Sequence, residues 1–364
     1  MHADEQARLA TGAGHPETEP EITVIVVNYN GGEYIRRCIA SLAAQTFRDF
    51  ETIIVDNAST DGSIAGIAER PAQTLIMAES VNHGFAAGNN LAARRARGRW
   101  LALLNPDAEA EPDWLESLVR AVQMRPTYRL VASLQIAAHD DRLLDGAGDC
   151  YLAWGYAWRG GHGHSRRETP PAGECFAPCG AAAFYPKDAF LASGGFDERY
   201  FCYHEDVDLG FRLRLMGERC QFDPACRVRH VGSGITGKAS RFAVFHGARN
   251  SVWTYVKNMP SRLLLVTAPV WIAAALALLV RSVLKGRGVA TFQGLAAGLG
   301  GLETALTERR RVRRMRRVSA GAIMAAFSWN PLLFLGRRCH VRPFLPRDPR
   351  GAPDVPSPSN AASF

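Results

Sequence analysis

The stretch Trp100–Leu115, WLALLNPDAEAEPDWL, is an apolar run that stops at Asn105-Pro106-Asp107 and then turns acidic. A carboxylate in that position suits a divalent cation and, through it, a charged phosphate leaving group. Polar residues close two earlier β-branched runs in the same way: Asn28 and Asn30 after ITVIVV, and Asp56 and Asn57 after ETIIV. Any one of these could be an ordinary Asx turn, whereas three strands ending in Asn or Asp suggest one shared polar site. The chain carries neither a P-loop nor a GxGxxG turn, so phosphate charge at this site would be neutralised by a cation, with Asp107 the best placed ligand.

A second group of acids is Glu205-Asp206-Val207-Asp208, within GGFDERYFCYHEDVDLGFRLRLMG. Three acids at the start of a helix agree with the helix dipole, and capping with surface solvation would account for them. The Gly-Gly and aromatic run just before them points instead to a pocket wall. His230, in RVRHVGSG, follows a short β-like segment and precedes a glycine loop; alone, such a histidine reads as structural.

The elements that must position these residues follow from periodicity. ITVIVVN is a fully buried parallel strand, and GGEYIRRCIASLAAQ is a helix with Tyr34, Ile35, Cys38, Ile39 and Leu42 on one face. ETIIVDNAS is a second strand, a short helix capped by Asp61 or Ser63 is expected next, and TLIMAES is a third strand. NHGFAAGNNLAARRARG starts in a Gly-rich turn, continues as a helix and leads to the strand WLALLNPD. Alternating strands and helices predict an α/β fold, an open sheet with its ligand at the carboxyl ends of the strands.

These elements divide the chain into a disordered lead at 1–20, an α/β half at 21–125 and a mixed, aromatic-rich half at 126–258. Apolar helices with an arginine block follow at 259–336, then a disordered tail at 337–364. A flexible loop is expected at WRGGHGHSRRETPPAGE, 158–174. The lead lacks the apolar core of a signal peptide, which places the catalytic half in the cytoplasm. At 364 residues and 47% hydrophobic content the chain can bury a large core. Its eight scattered cysteines fit a reducing compartment without structural disulfides.

The motifs VIVVNYNGGEYIRRCIASLAAQTFRDFETIIVDNASTDGS, NHGFAAGNN, LLNPDA and GGFDERYFCYHEDVDLGFRLR together resemble the inverting family 2 glycosyltransferases of the GT-A fold. The likeness is greatest to bacterial rhamnosyltransferase-like members that extend lipid-linked glycans, and it spans about residues 22–335. It implies a Rossmann-like mixed, mainly parallel sheet, with a nucleotide-sugar-binding half at 21–125, an acceptor-binding and catalytic half at 126–258, and the C-terminal apolar helices associated with a membrane. It implies that Val27, Asn28, Asn30, Asp56, Asn57, Asn82, Gly84, Asn105 and Asp107 surround a nucleotide-diphosphate sugar. Asp107 then matches the last acid of the DxD motif that binds Mg2+ or Mn2+, and His230 a histidine that completes the metal shell. Asp206 matches the general base, with Glu205 beside it in a positioning role. Such a base takes the proton of an acceptor hydroxyl as its oxygen attacks the anomeric carbon, while the cation stabilises the departing diphosphate.

The sequence departs from the family pattern in places. Asn105 replaces the first acid of DxD, and His204 stands where many relatives have an aromatic residue. No Q-x-x-R-W motif occurs, which argues against a processive synthase. The resemblance implies rhamnose from dTDP-rhamnose as the donor, and a glycan or polyprenyl-diphosphate-linked glycan of the cell envelope as the acceptor. Two alternatives stand beside it: a catalytically silent, membrane-anchored nucleotide-sugar scaffold, and a zinc module built on Cys175, Cys179, Cys202, Cys220, Cys226 and His230.

The net charge of +8 is concentrated in ERRRVRRMRR, 308–317, which holds seven arginines and one acid. Its neighbours are apolar, including eighteen residues at 263–280 with Thr267 as the sole polar member, roughly 27 Å as a helix. Their company selects an anionic membrane surface over nucleic acid as partner. A single pass or a hairpin would export basic residues against the positive-inside tendency. Helices lying in the interface at the cytoplasmic face of the plasma membrane are therefore favoured over a true span.

Overall fold

The computed structural model describes residues 19–232 and 240–345. Twelve strands are seen: β1 (Ile22–Asn28), β2 (Phe50–Asn57), β3 (Thr74–Glu79), β4 (Trp100–Leu104), β5 (Ala108–Ala110), β6 (Leu130–Ala137), β7 (Leu144–Ala147), β8 (Asp149–Leu152), β9 (Tyr156–Arg159), β10 (Gly173–Cys175), β11 (Ala182–Pro186) and β12 (Cys220–His230). The helices of the sheet-bearing part are α1 (Gly32–Ala43), α2 (Gly84–Arg95), α3 (Trp114–Met124), α4 (Lys187–Ala192) and α5 (Glu205–Leu215). The C-terminal helices are α6 (Arg241–Asn258), α7 (Ser261–Leu284), α8 (Gly288–Gly300), α9 (Leu302–Met315), α10 (Ala320–Ala326) and α11 (Pro331–Leu335).

Ten strands form one mixed sheet in the order β10-β12-β6-β11-β4-β1-β2-β3, with β5 on β12 and β7 on β6. β1 pairs in parallel with β2 and β4, and β2 with β3, so the carboxyl ends of these strands lie along one edge. β11 enters antiparallel between β4 and β6, so the sheet runs unbroken through both halves of the chain.

The strands alternate their side chains between two cores, as a period of two requires. Val24 and Val26 pack with Ile35, Cys38, Ile39 and Leu42 of α1, while Ile25 and Val27 pack with Ala86 and Ala92 of α2. On α1 those four residues recur at three- and four-residue spacing, which is why this stretch winds as an amphipathic helix. The helices therefore cover both faces of the sheet.

Three sequence expectations change. No helix follows Asp61; the segment is a run of turns in which Asp61 accepts from the backbone N–H groups of Gly32 and Ser63, so the acid ties the loop to α1 instead of capping a helix. The expected flexible loop at 158–174 is ordered. His162 Nδ1 lies 3.1 Å from Asp145 O and His164 Nε2 2.6 Å from Gly336 O, so tertiary partners satisfy a stretch whose composition suggests mobility. Of the expected lead and tail, residues 1–18 and 346–364 lie outside the described residues. Residues 337–345, however, are packed: Arg342 bridges antiparallel to Glu174, and the Phe344 ring meets Tyr128 edge-on at 5.0 Å.

A third core joins the hairpin β8–β9 to the C-terminal helices through Tyr151, Trp158, Phe176, Phe211, Tyr255, Trp271 and Phe327. α7, 24 residues or about 36 Å long, is by length and composition the one helix among the described residues able to cross a membrane. Trp271 stacks on Tyr255 at 5.0 Å, while Leu265, Val266, Leu276 and Val280 on the rest of the helix are well exposed. α8, at 13 residues, is too short to span.

α6 is tied to α5 by a buried ionic knot. Lys257 Nζ lies 2.7 Å from Asp208 and 2.8 Å from Asp197, and Arg212 pairs with Asp208 at 2.8 Å. Burial raises the Asp208 pKa, but Arg212 and Lys257 outweigh it and hold the carboxyl below its usual range. Removing one partner leaves buried charge uncompensated. Lys257→Met is expected to cost about 3 kcal/mol, read from the denaturant midpoint against the parent chain.

Candidate active site

Sheet pairing assembles the site from distant segments. β5 follows the Asn105–Asp107 turn and pairs with the end of β12, which sets His230 opposite Ala108. β12 also pairs with β6, and β6 with β7, which carries Asp145 to the other side of the same histidine. His230 Nδ1 donates to Asp145 Oδ2 at 2.7 Å, and His230 Nε2 faces Asp107 Oδ1 at 3.2 Å. All three side chains are buried. Burial alone would lower the His230 pKa, but its hydrogen bonds to Asp107 and Asp145 push it up to about 9. A histidine whose Nδ1–H is held by a carboxylate presents Nε2 in the orientation that metal-binding histidines use. Asn105 Nδ2 lies 3.5 Å from the same Nε2, and Asn105 Oδ1 is buried without a hydrogen-bond partner. The donor set of carboxylate, imidazole and unpaired amide oxygen fits Mg2+ or Mn2+.

Asp206 sits half-buried on the first turn of α5. Its Oδ1 accepts from Val207 N at 2.8 Å and its Oδ2 from Gly180 N at 2.9 Å. The segment before it is strained: Phe201, Tyr203 and His204 all have φ between +64° and +68°. Asn250 of α6 holds that segment by donating to the carbonyls of Tyr200, Cys202 and Tyr203 at 3.1, 3.0 and 2.7 Å. Glu205 is buried, and burial followed by the Asp206 charge raises its pKa well above the ordinary value. Asp208, the third acid of the cluster, belongs to the structural knot and not to the site.

Asp149, Cys179 and Asp206 bring potential metal-donor atoms within 4.8 Å of one another. Burial first, then the Asp206 charge, raises the Asp149 pKa well above the ordinary carboxylate value, against the pull of Arg159. Burial likewise raises Cys179, leaving a thiol that is a poor ligand for Mg2+ or Mn2+. Arg159, partly exposed, faces this group and also pairs with Asp145 Oδ2 at 2.6 Å. That pairing outweighs burial and holds Asp145 well below the usual carboxylate range. Arg159 stands opposite Asp149 in the β8–β9 register, so it lies between the Asp107–His230–Asp145 group and the Asp149–Asp206 group.

The strand-end residues gather at the carboxyl ends of β1 and β2. Asn28 Nδ2 lies 3.0 Å from both Asp56 Oδ1 and Ser59 Oγ, and 3.1 Å from Ser63 Oγ. Asn30 adopts φ +51°, tolerated by asparagine, and its Oδ1 accepts from Thr60 N. Asn57 donates to Gly84 O, and Asn82 Oδ1 accepts from Gly84 N, which knits the loop before α2 to β2. Gly84 has φ +81°, and a Cβ there would stand 2.6 Å from the Phe201 ring, so the loop meets the segment before Asp206 directly. Asn28 and Asn57 are enclosed and organise these loops; Val27 lies beneath, its methyl 2.7 Å from where a Cβ on Gly88 would stand.

Sequence reasoning missed Asp145, Asp149, Arg159 and Asn250. The run Asp145-Gly146-Ala147-Gly148-Asp149, two acids about a Gly-Ala-Gly, was the available signal for the first two. Arg159 lay in the supposed flexible loop, and nothing in the helical pattern marked Asn250. The zinc alternative does not assemble: Cys175 and Cys220 lie 3.3 Å apart as free thiols, while Cys179 joins the Asp149–Asp206 group and His230 the Asp107–Asp145 pair.

The chain is 27% identical over 254 residues to an N-acetylglucosaminyl-diphospho-decaprenol L-rhamnosyltransferase of Mycobacterium tuberculosis, covering 62% of this chain and 81% of the relative. The fold is similar to a mannosyltransferase of Pyrobaculum calidifontis in complex with GDP-Man and Mn2+, with a TM-score of 0.51 at 19% identity over 88% of this chain and 92% of that one. It is also similar to GalNAc-T7 with UDP, GalNAc and Mn2+, with a TM-score of 0.51 at 16% identity over 67% of this chain and 51% of that one. Residues 23–190 match the family described as Glycosyl transferase family 2. Those residues of the chain form a family 2 glycosyltransferase domain, built on a GT-A fold.

Proposed function

We propose that the protein is an inverting, metal-dependent glycosyltransferase that moves a sugar from a nucleotide diphosphate to a hydroxyl of a lipid-linked glycan. The observation that carries the reading is the nearness of Asp206 and Asp149 to the Asp107–His230–Asp145 group, with Arg159 paired to Asp145 and opposite Asp149 in the β8–β9 register. Asp107, His230 and Asn105 would hold Mg2+ or Mn2+, whose charge stabilises the departing diphosphate. The loops at Val27, Asn28, Asn30, Asp56, Asn57, Asn82 and Gly84 form the nucleotide end of the cleft.

Asp206 accepts the proton of the acceptor hydroxyl as that oxygen attacks the anomeric carbon. The N–H groups of Gly180 and Val207 hold its carboxylate in one orientation, and Asp149, its pKa raised by burial and by the Asp206 charge, stands beside it. Attack opposite the leaving group inverts the anomeric centre. Rhamnose from dTDP-rhamnose is the donor we favour, supported by the similarity to the mycobacterial L-rhamnosyltransferase. The same relative supports a polyprenyl-diphosphate-linked acceptor in cell-envelope polysaccharide synthesis. The exposed apolar face of α7 supports work at a membrane surface, which we place at the cytoplasmic face.

Asp206→Asn is expected to lower kcat about a hundredfold or more while changing donor Kd less than about twofold. Donor binding by calorimetry together with a radiolabelled transfer assay checks both, and retained turnover removes Asp206 from the role of base. Asp145→Asn is expected to weaken Mn2+ binding about 10- to 100-fold, measured by electron paramagnetic resonance on the protein without acceptor. Unchanged affinity would show that Asp145 does not orient the His230 ligand.

The raised pKa of His230 sets a direction with pH. In metal-free protein the imidazolium stabilises the fold fully below about 6.5, and that contribution is lost as pH rises through about 9. A metal at Nε2 must displace this proton. Mn2+ affinity should therefore rise with pH up to about 9, by about tenfold per unit for one proton. Calorimetry in buffers of different ionisation enthalpy counts the proton, and His230→Gln should abolish the dependence.

A further inference from the structure

A cavity of 360 Å³ opens where α6, α7 and α9 meet, bounded by Leu215 at the far end of α5 from Asp206. Nine residues of helix separate these two positions, roughly 14 Å, so the cavity is distinct from the acid site. Its cationic lining is Lys257, Arg262, Arg309, Arg313 and Arg316, and it includes no acid. Lys257 is committed to Asp197 and Asp208. The four arginines make no ion pair among the described residues.

Arg309 is 8% exposed, and its guanidinium donates to the carbonyls of Val256 and Met259 and to Ser261 Oγ, so its charge is buried against neutral groups. Arg262 and Arg313 are exposed at the cavity, without side-chain partners among the described residues. The first turn of the 24-residue α7 opens here: the bond from Leu264 N to Pro260 O leaves the earlier N–H groups without intrahelical acceptors. Immediately beyond this cationic end, Leu265 and Val266 are 76% and 74% exposed. The combination of an anion-binding chamber and an apolar track suits an amphiphile whose charged end is a phosphate.

We propose that this cavity binds the phosphate headgroup of a membrane lipid, whose hydrocarbon chain runs along the exposed face of α7. The arginine block thereby divides into unlike parts: Arg309 cross-braces α6 and α7, Arg313 and Arg316 face the lipid phosphate, and Arg310 and Arg314 lie outside the cavity. The proposal rests on the membrane-surface part of the functional reading and is independent of sugar transfer.

The test is co-sedimentation of the full chain with phosphatidylcholine vesicles containing or lacking phosphatidylglycerol, for R262A/R313A and for R310A/R314A. Both variants lose two exposed positive charges. The cavity variant should lose at least about fivefold more affinity for the anionic vesicles than the other, a step equal to about one further basic contact. Equal losses would show diffuse surface attraction and overturn the site. Binding of inorganic phosphate to the parent as tightly as vesicles, by calorimetry, would assign the cavity to free phosphate and overturn the lipid. Thermal unfolding and Mn2+-dependent donor binding of R262A/R313A should match the parent; loss of donor binding would place the cavity in the transfer site and overturn the proposal. A parent that binds anionic vesicles through the cavity but binds no nucleotide sugar would support this inference and refute the transfer reading.

Discussion

Crowding of negative charge is the constraint that the rest of the site answers. Asp107, Asp145, Asp149, Glu205 and Asp206 converge where water is scarce, and so many charged carboxylates could not share such a space. The protein resolves this in three ways. Burial and the Asp206 charge raise the pKa values of Asp149 and Glu205, which disfavours their charged forms. His230 and Arg159 place positive charge between the remaining acids. The first turn of α5 offers N–H groups and a favourable dipole to Asp206. A divalent cation would complete the same balance, replacing the proton that His230 carries without it.

That arrangement depends on the order of strands. The antiparallel β11, placed between β4 and β6, brings Gly180 and Ala181 to the end of β4, so the Asp206 and Asp107 regions share one sheet edge. β12 is long because it serves both ends: its start pairs with β10 and its last residues with β5. The strained turn before α5 persists because Asn250 supplies its carbonyls with donors and the ionic knot about Asp208 anchors the helix behind it. The C-terminal helices therefore help to fix the candidate site.

The sequence by itself determined β1 to β4, α1 and α2, because their periods of two and 3.6 mark buried faces whatever their neighbours are. It also marked Asp107 and the polar strand ends, because an acid or amide closing an apolar run is a local feature, and Asp206 as one of three acids at a helix start. It overstated the helix after Asp61 and the mobility of 158–174, since turn chemistry there is satisfied by Gly32, Asp145 and Gly336, far away in sequence.

Only the tertiary structure decided which acids act together. The partners of His230 lie 123 and 85 residues away, and no local pattern records such pairings. It also separated Asp208 from Asp206, two residues apart: Lys257 and Arg212 claim the first, while the second is held by backbone N–H groups at the cleft. Residue type and local spacing set what each side chain can do. Burial and sheet register set its charge and its neighbour, because desolvation and hydrogen bonding are properties of the folded surroundings.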